Sequence, residues 1–316
     1  MAVVCLHANS FIHTFIKDDW WWLRVFVEVV FYFAVPVFFM LSGANLLNYR
    51  ERYSTNTFYR KRLLKTFIPF VFWATFFYLL YWLNGHQDLE WREVLTRVTK
   101  GKIPYTNYWF FIPLFLLYIF IPFLSLMVMN MSKKHLLRLC MLLLIFQSFL
   151  PTIYLLLGVE IQLQLPISGY FIYLLLGYFL TLSDMEKNTV AVHSIGVVAI
   201  VAMILRYYFI YFSDTKEAPM FTYMGVYAFF PAMYIFLCVK RMKSSERCVS
   251  DNVWTWLSKR SFGVYLIHTA LIMMLAKLLN QQNPWFIPIS FIFAYTISVA
   301  ITTILQKNKF TKFLVP

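Results

Sequence analysis

Residues 107–129 read NYWFFIPLFLLYIFIPFLSLMVM. They contain no charged side chain, and their apolar residues run continuously rather than alternating. A helix needs about 20 such residues to cross the hydrocarbon core of a bilayer, so this stretch predicts a membrane span. Transmembrane β-strands alternate apolar with polar side chains, which excludes a barrel. Working outward, comparable runs occur at 1–16, 24–48, 63–84, 138–157, 167–182, 190–212, 221–240, 262–280 and 287–306. The first is short and reads as a helix shortened at its N-terminal end. The expected fold class is all-α, a polytopic membrane protein of about ten transmembrane helices. One membrane domain over residues 1–316 is expected, with no soluble domain, because no loop is long enough to hold one.

Composition agrees. Hydrophobic residues make up 61% of the chain and charged residues 13%, against about 25% charged in soluble domains. Mean hydropathy is +0.65. The net charge of +14 would suggest nucleic acid in a soluble protein. Here the basic residues lie in short loops between spans, where they set membrane orientation, so no nucleic-acid partner is expected. Arg50, Arg52, Arg60, Lys61, Arg62 and Lys65 form one group. Lys133, Lys134 and Arg138 form a second, and Lys240, Arg241, Lys243, Arg247, Lys259 and Arg260 a third. Lys187 and the tail residues Lys307, Lys309 and Lys312 complete the set. Alternating spans place all of these on one side, and the positive-inside rule makes that side cytoplasmic. The opposite loop 85–106 balances Arg92, Arg97, Lys100 and Lys102 with Asp88, Glu90 and Glu93. The reading is a multi-pass membrane protein with a cytoplasmic C-terminus. Cys5, Cys140, Cys238 and Cys248 show no paired spacing, so neither a disulfide nor a metal site is expected. No cleavable signal peptide is evident.

Ionisable groups at membrane depth are costly and point to function by default. Within the spans they are His7, His13, Glu28, Arg206, His268 and Lys277. Arg206 and Lys277 lie near outer ends, where long side chains snorkel. Glu28 lies within a turn or so of the same surface. His7 is deeper, roughly 15 Å from the outer boundary at about 1.5 Å per residue. His268 ends the stretch SFGVYLIH, with Tyr265 one turn before it on the same helix face. A third polar place is Ser42-Gly43 in VPVFFMLSG, which reads either as a small-residue packing seam or as part of a site. Together these residues suggest a cavity open to the cytoplasm, with cations at its mouth and an imidazole at its bottom. A phosphate-bearing donor with a long thin arm fits that shape: guanidinium groups hold phosphates, and a histidine takes a proton from a hydroxyl.

Five segments in order resemble the acyltransferase-3 family of bacterial integral-membrane acyltransferases. They are AVVCLH (2–7), VPVFFMLSG (35–43), YRKRLLKTFIPF (59–70), YWFFIPLFLLYIFIPFL (108–124) and SFGVYLIH (261–268). The fourth, with Trp109, is similar to the subgroup of the enterobacterial common antigen O-acetyltransferase. The resemblance implies O-acyl transfer, most simply acetyl transfer, from cytoplasmic acyl-CoA to a hydroxyl of a cell-surface glycan or lipid-linked saccharide, within membrane lipid. Acyl-CoA enters as a co-substrate, with no bound cofactor. In the resemblance His7 is the catalytic base or nucleophile. Arg60 and Arg62 contact CoA phosphates, while Ser42, Gly43 and His268 shape or polarise the donor channel. Trp109, Tyr265 and Glu28 are further candidates. The sequence departs from the family twice. The arginine that precedes the first-span histidine would fall before Met1, which leads to an expectation of either an upstream segment or an inactive copy. The glutamate of the family's W-S-L-x-x-E element has no counterpart after Trp109. A secondary transporter or flippase remains the alternative on the spans alone.

Overall fold

The computed structural model describes residues 1–85, 90–157, 159, 169–213, 222–244 and 251–316. All of its regular elements are helical. In chain order they begin with α1 (Ala2–Ala8), α2 (Trp21–Phe31), α3 (Ala34–Leu46), α4 (Thr55–Arg62) and α5 (Ile68–Leu83). Next come α6 (Trp91–Thr99), α7 (Phe111–Met129), α8 (Lys133–Leu144), α9 (Leu150–Leu156) and α10 (Phe171–Leu182). The last are α11 (Thr189–Phe212), α12 (Val226–Ser244), α13 (Asp251–Ser258), α14 (Ser261–Ala276) and α15 (Phe286–Lys307). Among the described residues, six helical stretches are long and apolar enough to cross a membrane. The shorter apolar helices α10 and α14 fall where the sequence predicts spans. The protein is an all-α polytopic membrane protein. Residues 167–168 and 221, at the edges of two predicted spans, lie outside the described residues, as do Asp88, Arg247 and Cys248.

Four of the expected spans, 1–16, 24–48, 63–84 and 138–157, are not continuous α-helices, and proline explains three of the interruptions. Proline has no N–H and its ring crowds the carbonyl four residues back. Pro36 therefore cannot bond Tyr32, and the predicted span 24–48 divides into α2 and α3 at Tyr32-Phe33. Wide π-helical turns at Leu63–Phe67 and Ile145–Phe149 stand immediately before Ile68-Pro69 and Leu150-Pro151. Each absorbs the same missing hydrogen bond by widening the turn. The predicted span 1–16 also breaks. After only seven residues α1 stops at Asn9, and a tighter 3₁₀ segment, Ser10–Thr14, follows. Asn9 is fully buried and its Nδ2 donates to the carbonyl of Arg24 (2.8 Å). Its side chain thus ties the end of α1 to α2.

At the centre lies α10, whose residues Phe171–Leu180 are all buried. A helix apolar all round must be enclosed by its neighbours. It packs on α3 through small residues facing backbone. A Cβ at Gly43 would overlap the carbonyl oxygen of Leu174, and one at Gly177 would overlap that of Met40. Gly43 therefore serves the packing seam. Ser42 Oγ donates to the carbonyl of Phe38 (3.0 Å) within its own helix.

Hydrogen bonds between helix ends define two faces. On the basic face Lys240 Nζ donates to the carbonyls of Leu180 (2.7 Å) and Ser183 (2.6 Å), and Arg260 Nε to Thr303 Oγ1 (2.7 Å). At the opposite face Trp21 Nε1 donates to the carbonyl of Tyr211 (3.2 Å). There Arg24, also buried, pairs with Asp18 (3.0 Å) and donates to the carbonyl of Gln282 (2.7 Å).

Arg206 does not snorkel as its position predicts. It is 1% exposed and pairs with Glu28, NH2 to Oε1 at 3.4 Å and NH1 to the Glu28 carbonyl at 3.1 Å. Its guanidinium also lies 3.4 Å from the centre of the Tyr32 ring. The carboxylate and the ring face satisfy the cation inside the bundle, which an apolar surface outside could not do. Lys277, by contrast, is exposed at the end of α14.

Candidate active site

Helix α1 is packed against α14, α15, α2 and α3. That placement brings His7, near its end, against His268 on α14, although the two are 261 residues apart. His7 Nδ1 lies 2.6 Å from His268 Nε2, with the ring planes within 6° of parallel. His7 Nε2 lies 2.9 Å from Asn107 Nδ2. Thr269 Oγ1 sits beside the histidine contact, 3.3 Å from His268 Nε2 and 3.5 Å from His7 Nδ1.

The backbone decides where the protons are. His268 Nδ1 faces two carbonyl oxygens, Val264 (2.9 Å) and Tyr265 (2.8 Å). A carbonyl only accepts, so Nδ1 carries the hydrogen and the neutral ring leaves Nε2 bare. The 2.6 Å contact then requires a hydrogen on His7 Nδ1. His7 Nε2 is consequently the bare nitrogen, and it accepts from the Asn107 amide. His268 thus holds His7 in one tautomer. The bare nitrogen points at a half-buried amide.

His268 is 1% exposed and forms part of the wall of a cavity of about 370 Å³. The remaining wall is mainly apolar, including Val4, Val35, Phe38, Phe110, Phe262 and Tyr265. Met1 and Ser261, at the first turns of α1 and α14, line it too. The cavity therefore extends from the first turns of these helices to His268, whose ring separates it from His7.

The sequence-derived site residues divide. The structure brings together His7 and His268, with Tyr265 beside them, its ring centre 5.7 Å from that of His268. Tyr265 OH donates to the carbonyl of Asn107 (3.0 Å), tying α14 to the turn that opens α7. Trp109 lies in that turn and stacks on Tyr223 (5.6 Å, 18°). Arg60 is exposed on α4, and Arg62 is half-buried between the rings of Phe58 (5.8 Å) and Tyr118 (5.6 Å). Among the described residues Arg62 Nε, itself buried, has no hydrogen-bond partner. His7, Trp109, Arg60, Arg62, Ser42, Gly43 and Glu28 are all outside the cavity lining, which holds His268 and Tyr265. Glu28 faces Arg206.

Asn107 and Thr269 were not singled out by the sequence. Asn107 reads as the polar boundary of a span, and Thr269 as an ordinary small residue after His268. Only the fold shows that both touch the base. Among the described residues, no cluster of His, Cys, Asp and Glu forms a metal site. The three described cysteines are free.

A bare imidazole nitrogen fixed in one tautomer, on a half-buried histidine inside a helical membrane bundle, suits proton removal from a hydroxyl. The comparisons name the class. The family model described as an acyltransferase domain, acyltransferase-3, matches residues 1–303. The chain belongs to the acyltransferase-3 family and is an acyltransferase, acting with acyl groups other than aminoacyl groups. No curated protein and no solved structure matches the chain.

Proposed function

We propose that this acyltransferase moves an acetyl group from cytoplasmic acetyl-CoA to a hydroxyl of a cell-surface glycan or lipid-linked saccharide. The observation that carries the reading is the His7–His268 pair, 2.6 Å apart, whose His268 lines a cavity that Met1 and Ser261 also line. The basic face is cytoplasmic in this reading, and so is the C-terminal tail, in the membrane that bounds the bacterial cytoplasm. The acetyl thioester enters along the cavity toward the imidazoles. Arg60, exposed on α4, and Arg62 beside it supply cations for the CoA phosphates on that face.

The chemistry follows from the tautomer. His7 Nε2 takes the acceptor's hydroxyl proton as the oxygen attacks the thioester carbon. The resulting imidazolium keeps its Nδ1–H on His268 Nε2. The tetrahedral intermediate collapses with cleavage of the C–S bond, and the thiolate leaves with the proton held by His7. The products are the O-acetyl ester and free thiol. The Trp109-Phe110 segment supports placement beside the enterobacterial common antigen O-acetyltransferase subgroup.

The test is incubation of purified, reconstituted protein with acetyl-labelled acetyl-CoA and a bacterial glycolipid fraction. Label that enters glycolipid as an alkali-labile ester is the expected result. Uptake or export of glycolipid without incorporation of label would identify a transporter instead.

A further inference from the structure

The mechanism above leaves the charge on the former carbonyl oxygen unattended, and it leaves the Asn107 carboxamide without a task. We propose that Asn107 is a catalytic residue whose side-chain N–H donates to the oxyanion of the tetrahedral intermediate. The inference rests on the acyl-transfer reading of the His7 site.

Three observations carry it. First, the atom next to the base must be a donor. His7 Nε2 is bare, so the group 2.9 Å away is the NH₂ of the amide. That nitrogen has two hydrogens, and among the described residues it meets one partner, His7 Nε2. Second, the backbone that carries the Asn107 side chain is held from α14, the helix that carries His268. Tyr265 OH donates to its carbonyl (3.0 Å), and Tyr108 OH donates to the carbonyl of Leu266 (2.7 Å). These two bonds fix the Asn107–Tyr108 turn relative to the imidazole pair. An oxyanion donor stabilises the transition state to the extent that it is held in place beforehand. Third, the side chain is half-buried rather than enclosed, so a substrate can reach it.

The geometry then follows the reaction. The acceptor hydroxyl takes the place of the amide at the Nε2 lone pair. Its oxygen bonds the thioester carbon, so the carbonyl oxygen lies one bond further out, within reach of the displaced N–H. A productive donor stands about 2.7–3.1 Å from the oxyanion. Thr269 is the other hydroxyl donor at the site, but it lies beside the His7 Nδ1–His268 Nε2 contact rather than at Nε2. When the C–S bond breaks the oxyanion returns to a carbonyl, and Asn107 neither gains nor loses a proton.

The test compares wild type, Asn107→Ala, Asn107→Asp and His7→Ala in detergent, each with an unchanged melting transition. Two acyl donors are used: acetyl-CoA with the glycolipid fraction, and p-nitrophenyl acetate with water as acceptor. Asn107→Ala is expected to lower kcat about 10²–10³-fold on both donors while KM stays within a few-fold, the signature of a lost oxyanion donor. Asn107→Asp is expected to be no better, because its carboxylate repels the developing charge. A kcat for Asn107→Ala within about threefold of wild type, or a loss confined to KM, overturns the proposal. His7-dependent ester hydrolysis without transfer from acetyl-CoA overturns the donor assignment alone, and the ester kinetics then decide Asn107. Ester hydrolysis and transfer both independent of His7 overturn the two together.

Discussion

Replacement of His7 by alanine is expected to lower the rate of acyl transfer about 10²–10⁴-fold, the range for loss of a positioned general base. The bundle should survive the change. His7 is half-buried, and the main anchors of α1 lie elsewhere: Val4 and Ala8 pack against α14 and α15, and Asn9 bonds the Arg24 carbonyl. The loss should therefore appear in kcat, with little change in melting temperature. The measurement is the initial rate of ester formation by equal amounts of folded wild-type and variant protein. A rate within about threefold of wild type would remove His7 from the mechanism.

The second large effect concerns stability. Glu28→Ala leaves the Arg206 guanidinium, 1% exposed, without its carboxylate. Breaking a buried pair by removing one partner costs about 3–5 kcal/mol, because an uncompensated charge remains inside. Part of the loss is offset by the Tyr32 ring, which lies 3.4 Å from the guanidinium centre. Thermal unfolding in detergent should show a clear drop in Tm for Glu28→Ala. The double change Glu28→Met with Arg206→Met should recover much of it, since neutral packing of similar volume replaces both charges. An unchanged Tm in the single variant would mean that the pair contributes nothing to the fold. Equal losses in single and double variants would place the cost in packing instead.

Much of this molecule is legible in the sequence, and what is not has a common cause. Runs such as 107–129 announce spans because bilayer thickness sets a length that a reader can count. His7 and His268 stand out because imidazoles are rare at that depth. Their contact does not, since it depends on how α1 and α14 pack, 261 residues apart in the chain. Arg206 illustrates the same limit from the other side. Its position near a helix end suggests snorkelling, yet Glu28 lies 178 residues away and captures it. Pro36, Pro69 and Pro151 all disturb their helices, but the outcome differs. One divides a span, and two are absorbed as π turns, depending on what the neighbouring helices allow. Asn107 carries no signal of its own, because polar residues at span boundaries are ordinary.

The proposed chemistry depends on His7 and His268 acting as a unit rather than as two independent polar groups. The most direct measurement is a double-variant cycle of transfer rates: wild type, His7→Ala, His268→Ala and both together. Residues that serve one function lose it once, so their effects do not add. If His268 acts by holding the His7 tautomer, the double variant should run within about threefold of His7→Ala alone. Losses that multiply across the two sites would contradict the pair, and with it the assignment of His7 Nε2 as the base.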